Sequence, residues 1–516
     1  MGQNLYDALI GDPAPQASPI AIETSAGQQF SYADLDKNSA RLANLLASCG
    51  VEPGDRVAVQ VEKSPQAVFV YLACLRAGAV YLPLNTSYTR DETDYFISDA
   101  EPKVMICQPE RFSEMADLCG SRGTVHTLTL GAAAEGSLIE RSGQMAPTFR
   151  AAAASGNDLA AILYSSGTTG KPKGVMLSHH NLLSNAQTLV EAWGFTEQDV
   201  LLHALPLFHV HGLFVGLHCA LLSHARILLT PRFEAEQICS LLPRATVFMG
   251  VPTYYTRLLT RPQLNRETCG GMRLFVSGSA PLLADTFWQF ERQTGHAILE
   301  RYGMTETNMN ISNPLEGPRL PGSIGKPLPG IEVRIADTQD QPINSGGVGE
   351  IQVRGPNVFS GYWRRPELSG TSFTADGFLR TGDLGCVDAN GYFSIVGRAK
   401  DLIISGGYNV YPKEVEVCID SLEGVEESAV IGMPHPDLGE AVMAIVVGRP
   451  GATLDAEAIK PALRRSLAGY KLPKCVILVD ELPRNNMGKV QKNRLRDSYL
   501  PLWQERMVRG TGGAGA

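Results

Sequence analysis

The run LAAILYSSGTTGKPKG, residues 159–174, sends an apolar strand into a loop holding three glycines, four hydroxyl residues and two lysines. Such a loop is suited to phosphate. Glycines let backbone N–H groups approach the oxygens, Ser165, Ser166, Thr168 and Thr169 donate hydrogen bonds, and lysines such as Lys173 bring charge. Gly167 and Gly170 lie too close together for a GxxxxGK[ST] loop, so another nucleotide architecture is implied. SGSAP at 277–281 lies at a strand end, where open α/β sheets bind ligands, while YGMTE at 302–306 and TGD at 381–383 read by themselves as turns. An acid at a turn, such as Asp383, is commonly only a cap. Near the end, PRNNMGKVQKN holds Lys489 in a Gly-Lys loop, which taken by itself is usually only solvated surface. Two arginines could pair a carboxylate bidentately: Arg301, just before YGMTE, and Arg257, one helical turn past the loop VPT. His203, His209, His211, His218 and His224 cluster in sequence, but their spacing fits no common metal motif and no cysteines or acids accompany them.

The elements that must position these residues alternate. From about residue 55 to 300, short β-branched runs such as RVAVQV, AVYLPLN, ATVFMG and MRLFVSG are interleaved with amphipathic stretches such as PQAVFVYLACLRAG, PTYYTRLL and LLADTFWQFERQTG. This predicts sheets with helices packed on their faces. The Ala/Gly-rich segment Gly131 to Gly156 reads as a surface connection. Between about 320 and 395, Gly- and Pro-punctuated strands predict a small all-β unit, and after Arg398 helices and strands mix in a compact α+β domain. The expected fold class is therefore α/β multidomain, with a large N-terminal domain of α/β sheets plus a small β unit, followed by a mobile α+β C-terminal domain. The expected boundaries are 1–398, 399–505 and a disordered tail, 506–516.

At 516 residues the chain exceeds one hydrophobic core, and 44% hydrophobic with 19% charged residues is an ordinary globular composition. A net charge of -8 argues against a general nucleic-acid binder. Ten scattered cysteines without a CxxC pair read as free thiols in a reducing cytoplasm. The start MGQNLYDALIGDPAPQ has neither the basic-then-apolar pattern of a secretory signal nor the arginines of a transit peptide, and no apolar run suggests membrane insertion.

From Phe30 to Arg496 these motifs resemble the adenylate-forming superfamily, which includes acyl-CoA synthetases. The resemblance implies an acid-thiol ligase using ATP, Mg2+ and coenzyme A. It places ATP on Ser165, Ser166, Gly167, Thr168, Thr169, Gly170 and Lys173, and on an adenine wall of Ser277, Gly278, Ser279, Ala280, Glu300, Tyr302, Gly303 and Met304. It also implies that Thr305 contacts phosphate, Glu306 and Thr168 hold the metal, Asp383 and Arg398 hold the ribose, and Lys489 reaches the substrate carboxylate and α-phosphate. A hinge falls at Lys400, where many relatives carry Asp, and Gly406, Gly407 and Tyr408 would line the coenzyme A tunnel. LPLFHVHGLF, GVPTYYTRLL, SGSAPLLADT and LERYGMTETNMNISNP look most like bacterial malonyl-CoA synthetases, with malonate or methylmalonate as the acid. In that group the matches to Arg257, Arg301 and Ser279 surround the distal carboxylate, and His209 and Met304 line the acyl site. The alternatives are a short-chain or aryl acid:CoA ligase, an adenylation module loading a carrier protein, and a silent ATP-binding protein. Monomer and homodimer both stay open.

Removing a single preorganised cation typically costs ~10²–10³ in rate. Lys489→Ala is therefore expected to lose ATP–pyrophosphate exchange by that factor with an unchanged melting temperature; exchange at the parent rate would disprove the role.

Overall fold

Helix and strand boundaries follow local chemistry. RVAVQV becomes the strand Arg56–Gln60, and PQAVFVYLACLRAG becomes the helix Pro65–Ala77. The Ser64 side chain caps that helix by accepting from the Ala67 N–H, and Gly78 ends it in the left-handed region at φ +71°. The computed structural model describes residues 4–11, 18–121, 126–165, 172–485 and 488–511, the last six of these by backbone alone. The chain divides into two compact units, Met1–Val333 with Val353–Leu379, and Arg334–Gln352 with Arg380–Ala516.

The first unit holds two large sheets. One has seven strands in the order Gly361–Tyr362, Lys173–Ser178, Leu159–Ser165, Val80–Pro83, Arg56–Gln60, Val104–Cys107 and His126–Thr129. Its last five strands are parallel, and Lys173–Ser178 folds back antiparallel on Leu159–Ser165. The other has nine strands, and a central parallel run comprises Leu299–Met304, Leu274–Ser277, Val247–Gly250 and Val200–His203. Buried Phe248, Tyr255, Phe275 and Phe290 pack edge-on beside this run. The Tyr255 hydroxyl donates to the Val276 carbonyl at 2.7 Å, so even this buried phenol is satisfied.

The second unit holds a four-stranded sheet, Glu332–Ala336, Gly349–Arg354, Leu379–Val387 and Phe393–Arg398, and a five-stranded sheet whose long pair is Val425–His435 with Gly439–Gly448. The helices Pro412–Asp420 and Ala456–Leu463 contribute Val415, Ile419, Ile459 and Leu463 to the core of that sheet.

Three segments differ from the sequence reading. The Ala/Gly-rich stretch contains the helix Ser137–Gly143. Within 320–395, Lys326–Pro327 joins the nine-stranded sheet and Gly361–Tyr362 joins the seven-stranded one, because two-residue strands carry too little pattern to specify their partners. Helix Lys492–Thr511 runs into the segment expected as a disordered tail, and residues 512–516 lie outside the described residues.

One polar clamp sets the amino ends of three site-bearing strands. Asp199, 3% exposed, accepts from Arg273 Nε and Nη2 at 2.7 Å each, from the Thr246 hydroxyl at 2.7 Å and from the Thr196 N–H at 2.9 Å. Those residues directly precede Val200–His203, Val247–Gly250 and Leu274–Ser277. Burial pushes the Asp199 carboxyl up, but the Arg273 and Thr246 hydrogen bonds lead a larger opposing effect and the net shift is down. The stability it contributes is therefore present above the ordinary aspartate range and is lost as pH falls through its lowered folded value. Arg273→Met is expected to destabilise the protein by about 3 kcal/mol, the cost of a buried charge left without its partner. Urea unfolding at pH 7 measures this, and an unchanged midpoint would disprove the clamp.

Candidate active site

The two strands that flank the glycine-rich segment pair antiparallel: Ser165 pairs with Lys173 in the Leu159–Ser165 and Lys173–Ser178 ladder. Ser166, Gly167, Thr168, Thr169 and Gly170 lie outside the described residues. Opposite the hairpin, the strand Leu299–Met304 runs through Tyr302, Gly303 and Met304 and turns at Thr305–Thr307 into the antiparallel strand Asn308–Ser312. Gly303 is required here, since a Cβ would stand 1.8 Å from the Asn308 carbonyl oxygen. Glu306 is buried, and its Oε1 accepts from the Tyr362 hydroxyl at 3.0 Å and the Ser165 hydroxyl at 3.4 Å. Lys173 Nζ lies 5.3 Å from the Tyr362 ring centroid. One carboxylate thus ties the YGMTE turn to the base of the glycine loop, and burial together with Glu306 raises the Tyr362 phenol.

A second cluster is built at the carboxyl ends of the parallel strands. Gly250 is paired with Ser277, and Ser277 with Glu300, so Gly278 stands level with Arg301. Glu300 is buried and accepts the Leu282 N–H at 3.0 Å. Ser279 adopts φ +70°, a strained conformation for a serine, as the chain leaves its strand toward Ala280. Arg301 is 3% exposed, and its Nε and Nη2 have no hydrogen-bond partner. Desolvation lowers the guanidinium to about 9, opposed by Tyr255 and Glu300. A buried cation with two undirected donors is a site that awaits an anion.

The other candidates separate. Arg257 sits on the exposed side of helix Pro252–Leu259, and His209 is half-buried with its Nδ1 accepting the His211 N–H at 3.2 Å. His211, which the sequence reading left without a role, is fully buried with its Nδ1 3.3 Å from Ser279 Oγ. The repeated HVH would have offered it as a second candidate beside His209.

In the second unit Asp383 and Arg398 face each other across paired strands at 2.8 Å. Lys489 closes a small loop: its N–H donates to Asn485 Oδ1 at 2.9 Å and its carbonyl accepts the Asn485 N–H at 2.9 Å. The residue is exposed, yet surrounding protein and then the Arg398 charge lower its ammonium, with Asp383 opposing; solvent at the exposed surface softens that shift. Lys400 lies in the short turn Ala399–Asp401, which buries nothing. Gly406 and Gly407, at φ +59° and +81°, turn the hairpin between Ile403–Ser405 and Tyr408–Val410. Tyr408 is 60% exposed and stacks on Tyr470 at 4.7 Å.

A methyl at Gly278 would stand 2.4 Å from Arg301 Cζ and 2.7 Å from its Nε. Gly278→Ala is therefore expected to displace the guanidinium and raise the acid KM about tenfold, a loss near 1.4 kcal/mol, with a melting temperature close to the parent. An unchanged acid KM would disprove the contact.

Residues 13–363 match the AMP-binding enzyme family and residues 414–489 the AMP-binding enzyme C-terminal domain. The chain is 36% identical over 525 residues to the mitochondrial malonate–CoA ligase of Homo sapiens, covering 93% of this chain and 90% of that one. It is 36% identical over 479 residues to a feruloyl-CoA synthase of Amycolatopsis sp, covering 92% and 94%. Among solved structures, ATP-bound MatB from Rhodopseudomonas palustris is 52% identical with a TM-score of 0.95, covering 98% of this chain and 100% of the other. A glycine-rich hairpin, a glutamate that braces it and a separate lysine-bearing unit therefore sit in a chain that belongs to the AMP-binding enzyme family.

Proposed function

We propose that this enzyme is an ATP-dependent malonyl-CoA synthetase, converting malonate, ATP and coenzyme A to malonyl-CoA, AMP and pyrophosphate through malonyl-adenylate, with methylmalonate as a second substrate. The observation that carries the choice of acid is the buried Arg301 with its two unpartnered N–H donors. An apolar tunnel has no use for such a cation, whereas a dicarboxylate brings a second carboxylate that does not react and can pair with it.

In the first half-reaction the reacting carboxylate oxygen bonds to the α-phosphorus of ATP and the bond to the pyrophosphate oxygen breaks. Lys489 stabilises the charge on the α-phosphoryl oxygens, Thr305 and the 165–170 segment with Lys173 hold phosphate, Tyr302 stacks on adenine, and Asp383 with Arg398 takes the ribose. Glu306 suits Mg2+, because it offers a buried carboxylate oxygen set among the Ser165 and Tyr362 hydroxyls. The ion, which Thr168 would also hold, neutralises phosphate charge when bound. In the second half-reaction the coenzyme A thiolate bonds to the acyl carbon and AMP leaves with the electron pair of the broken acyl–phosphate bond. Gly406, Gly407 and Tyr408 line the pantetheine path after a swivel at Lys400 between 1–398 and 399–505; the unburied turn Ala399–Asp401 supports that hinge. Ten free cysteines fit a cytoplasmic setting, and no helix among the described residues is long and apolar enough to cross a membrane. Likeness to a feruloyl-CoA synthase keeps an aryl acid as the second reading.

The test is coenzyme A-dependent AMP formation with malonate, methylmalonate, acetate and octanoate, repeated with Arg301→Ala. Malonate is expected to lead, and the variant to lose about 100-fold or more in kcat/KM for malonate and methylmalonate but not for acetate or octanoate. Octanoate outperforming malonate in the parent would defeat the assignment.

A further inference from the structure

The peptide units on both sides of Lys489 are gripped by hydrogen bonds. The Gly488 carbonyl and the Lys489 N–H belong to one planar peptide. Arg484 Nη1 donates to that carbonyl, and the N–H donates to Asn485 Oδ1 at 2.9 Å. On the far side, the Lys489 carbonyl accepts the Asn485 N–H at 2.9 Å. Fixing both planes fixes φ and ψ of Lys489, and with them the direction in which its side chain leaves the backbone.

Arg484 is itself tied down. Its Nη2 donates to Glu427 Oε2, which projects from the strand Val425–His435. Both side chains are half-buried, so solvent screens the pair less than it would on an open surface. A planar guanidinium suits the double task, because its fork serves a carbonyl and a carboxylate at once, whereas an ammonium meets them as a point charge. Beyond the loop, Lys492 Nζ lies 2.6 Å from Glu416 Oε1, which also accepts the Val430 N–H at 2.9 Å. Glu416 belongs to the helix Pro412–Asp420, which packs on the strand that carries Glu427. The loop is thus anchored on both flanks to one helix-strand pair. Its two ends are joined in any case, since Arg484 bridges Val490 and the Gln491 N–H donates to the Pro483 carbonyl at 2.8 Å. What the guanidinium adds is its hold on the Gly488–Lys489 peptide.

Resting on the adenylation role given to Lys489 above, we propose that Arg484, braced by Glu427, is a positioning residue for that lysine, aiming its ammonium for the first half-reaction. A lysine has four rotatable side-chain bonds, and a loose backbone beneath them would spread the charge over many places. Orientation is worth most where charge develops on one set of oxygens, which is the adenylation step.

The experiment uses the full-length parent, Arg484→Met, Arg484→Lys, Glu427→Leu, Lys489→Ala and the double variant Arg484→Met with Lys489→Ala. It measures malonate-dependent ATP–pyrophosphate exchange, and separately thioester formation from synthetic malonyl-adenylate and coenzyme A. Arg484→Met is expected to lose about 10- to 100-fold in the kcat of exchange, with little change in the ATP KM and none in thioester formation. Arg484→Lys is expected to recover part of that loss. In the double variant Arg484→Met should add no further loss to that of Lys489→Ala, because a residue that acts through the lysine has nothing left to position. Glu427→Leu, which leaves the Gly488 contact in place, is expected to lose less in exchange and carries the same comparisons should Arg484→Met fail to fold. Exchange at the parent rate, equal losses in both half-reactions, or an additive loss in the double variant would overturn the brace. Lys489→Ala exchanging like the parent sinks the role of the lysine and the brace with it; Lys489→Ala losing exchange while Arg484→Met keeps it sinks the brace alone.

Discussion

A guanidinium shut away from water is tolerated only where something else carries its charge, and this condition organises the carboxyl ends of the parallel strands in the first unit. Arg301 is placed by strand register: its neighbour Glu300 pairs with Ser277, so the next residue along that strand must be one without a side chain. Gly278 meets that requirement. Desolvation pulls the Arg301 cation down, the direction expected of a buried charge. Tyr255 and Glu300 offset part of that shift, and a carboxylate from the substrate would offset more. Binding energy and selectivity then share one source, since an acid without the second carboxylate leaves the buried donors unanswered.

Such a site needs strands that do not shift. Asp199, Thr246 and Arg273 lock three neighbouring parallel strands at their amino ends, while the carboxyl ends stay available for Ser277 to Ser279 and for the turn into the helix Pro252–Leu259. The division of labour is physical. A carboxylate, a guanidinium and a hydroxyl joined in one network restrain position at one end, and the strained serine and the unpaired donors are carried at the other.

A second carboxylate, Glu306, gathers the hydroxyls of Ser165 and Tyr362 and so joins the strand Leu159–Ser165 to the turn after Met304. The second unit carries its own cluster, in which Asp383, Arg398, Lys400 and Asp401 all influence the charge of Lys489. Desolvation, then the Arg398 charge, lowers its ammonium, and Asp383 opposes the shift.

Much of this was legible in the residue order. Alternation of β-branched and amphipathic runs marked the α/β sheets. These signals are local, carried by neighbours within a few residues. The two arginines read alike in sequence, and only the folded chain separates them, burying Arg301 in the sheet and leaving Arg257 on an exposed helix face. His211 meets Ser279 across 68 positions, and Asp199 meets Arg273 across 74. Sequence alone determined the chemical inventory and the elements that hold it; burial, strand register and long-range pairing decided which side chains lost water and which stayed in it, because desolvation depends on everything packed around a group and on nothing in its immediate neighbours along the chain.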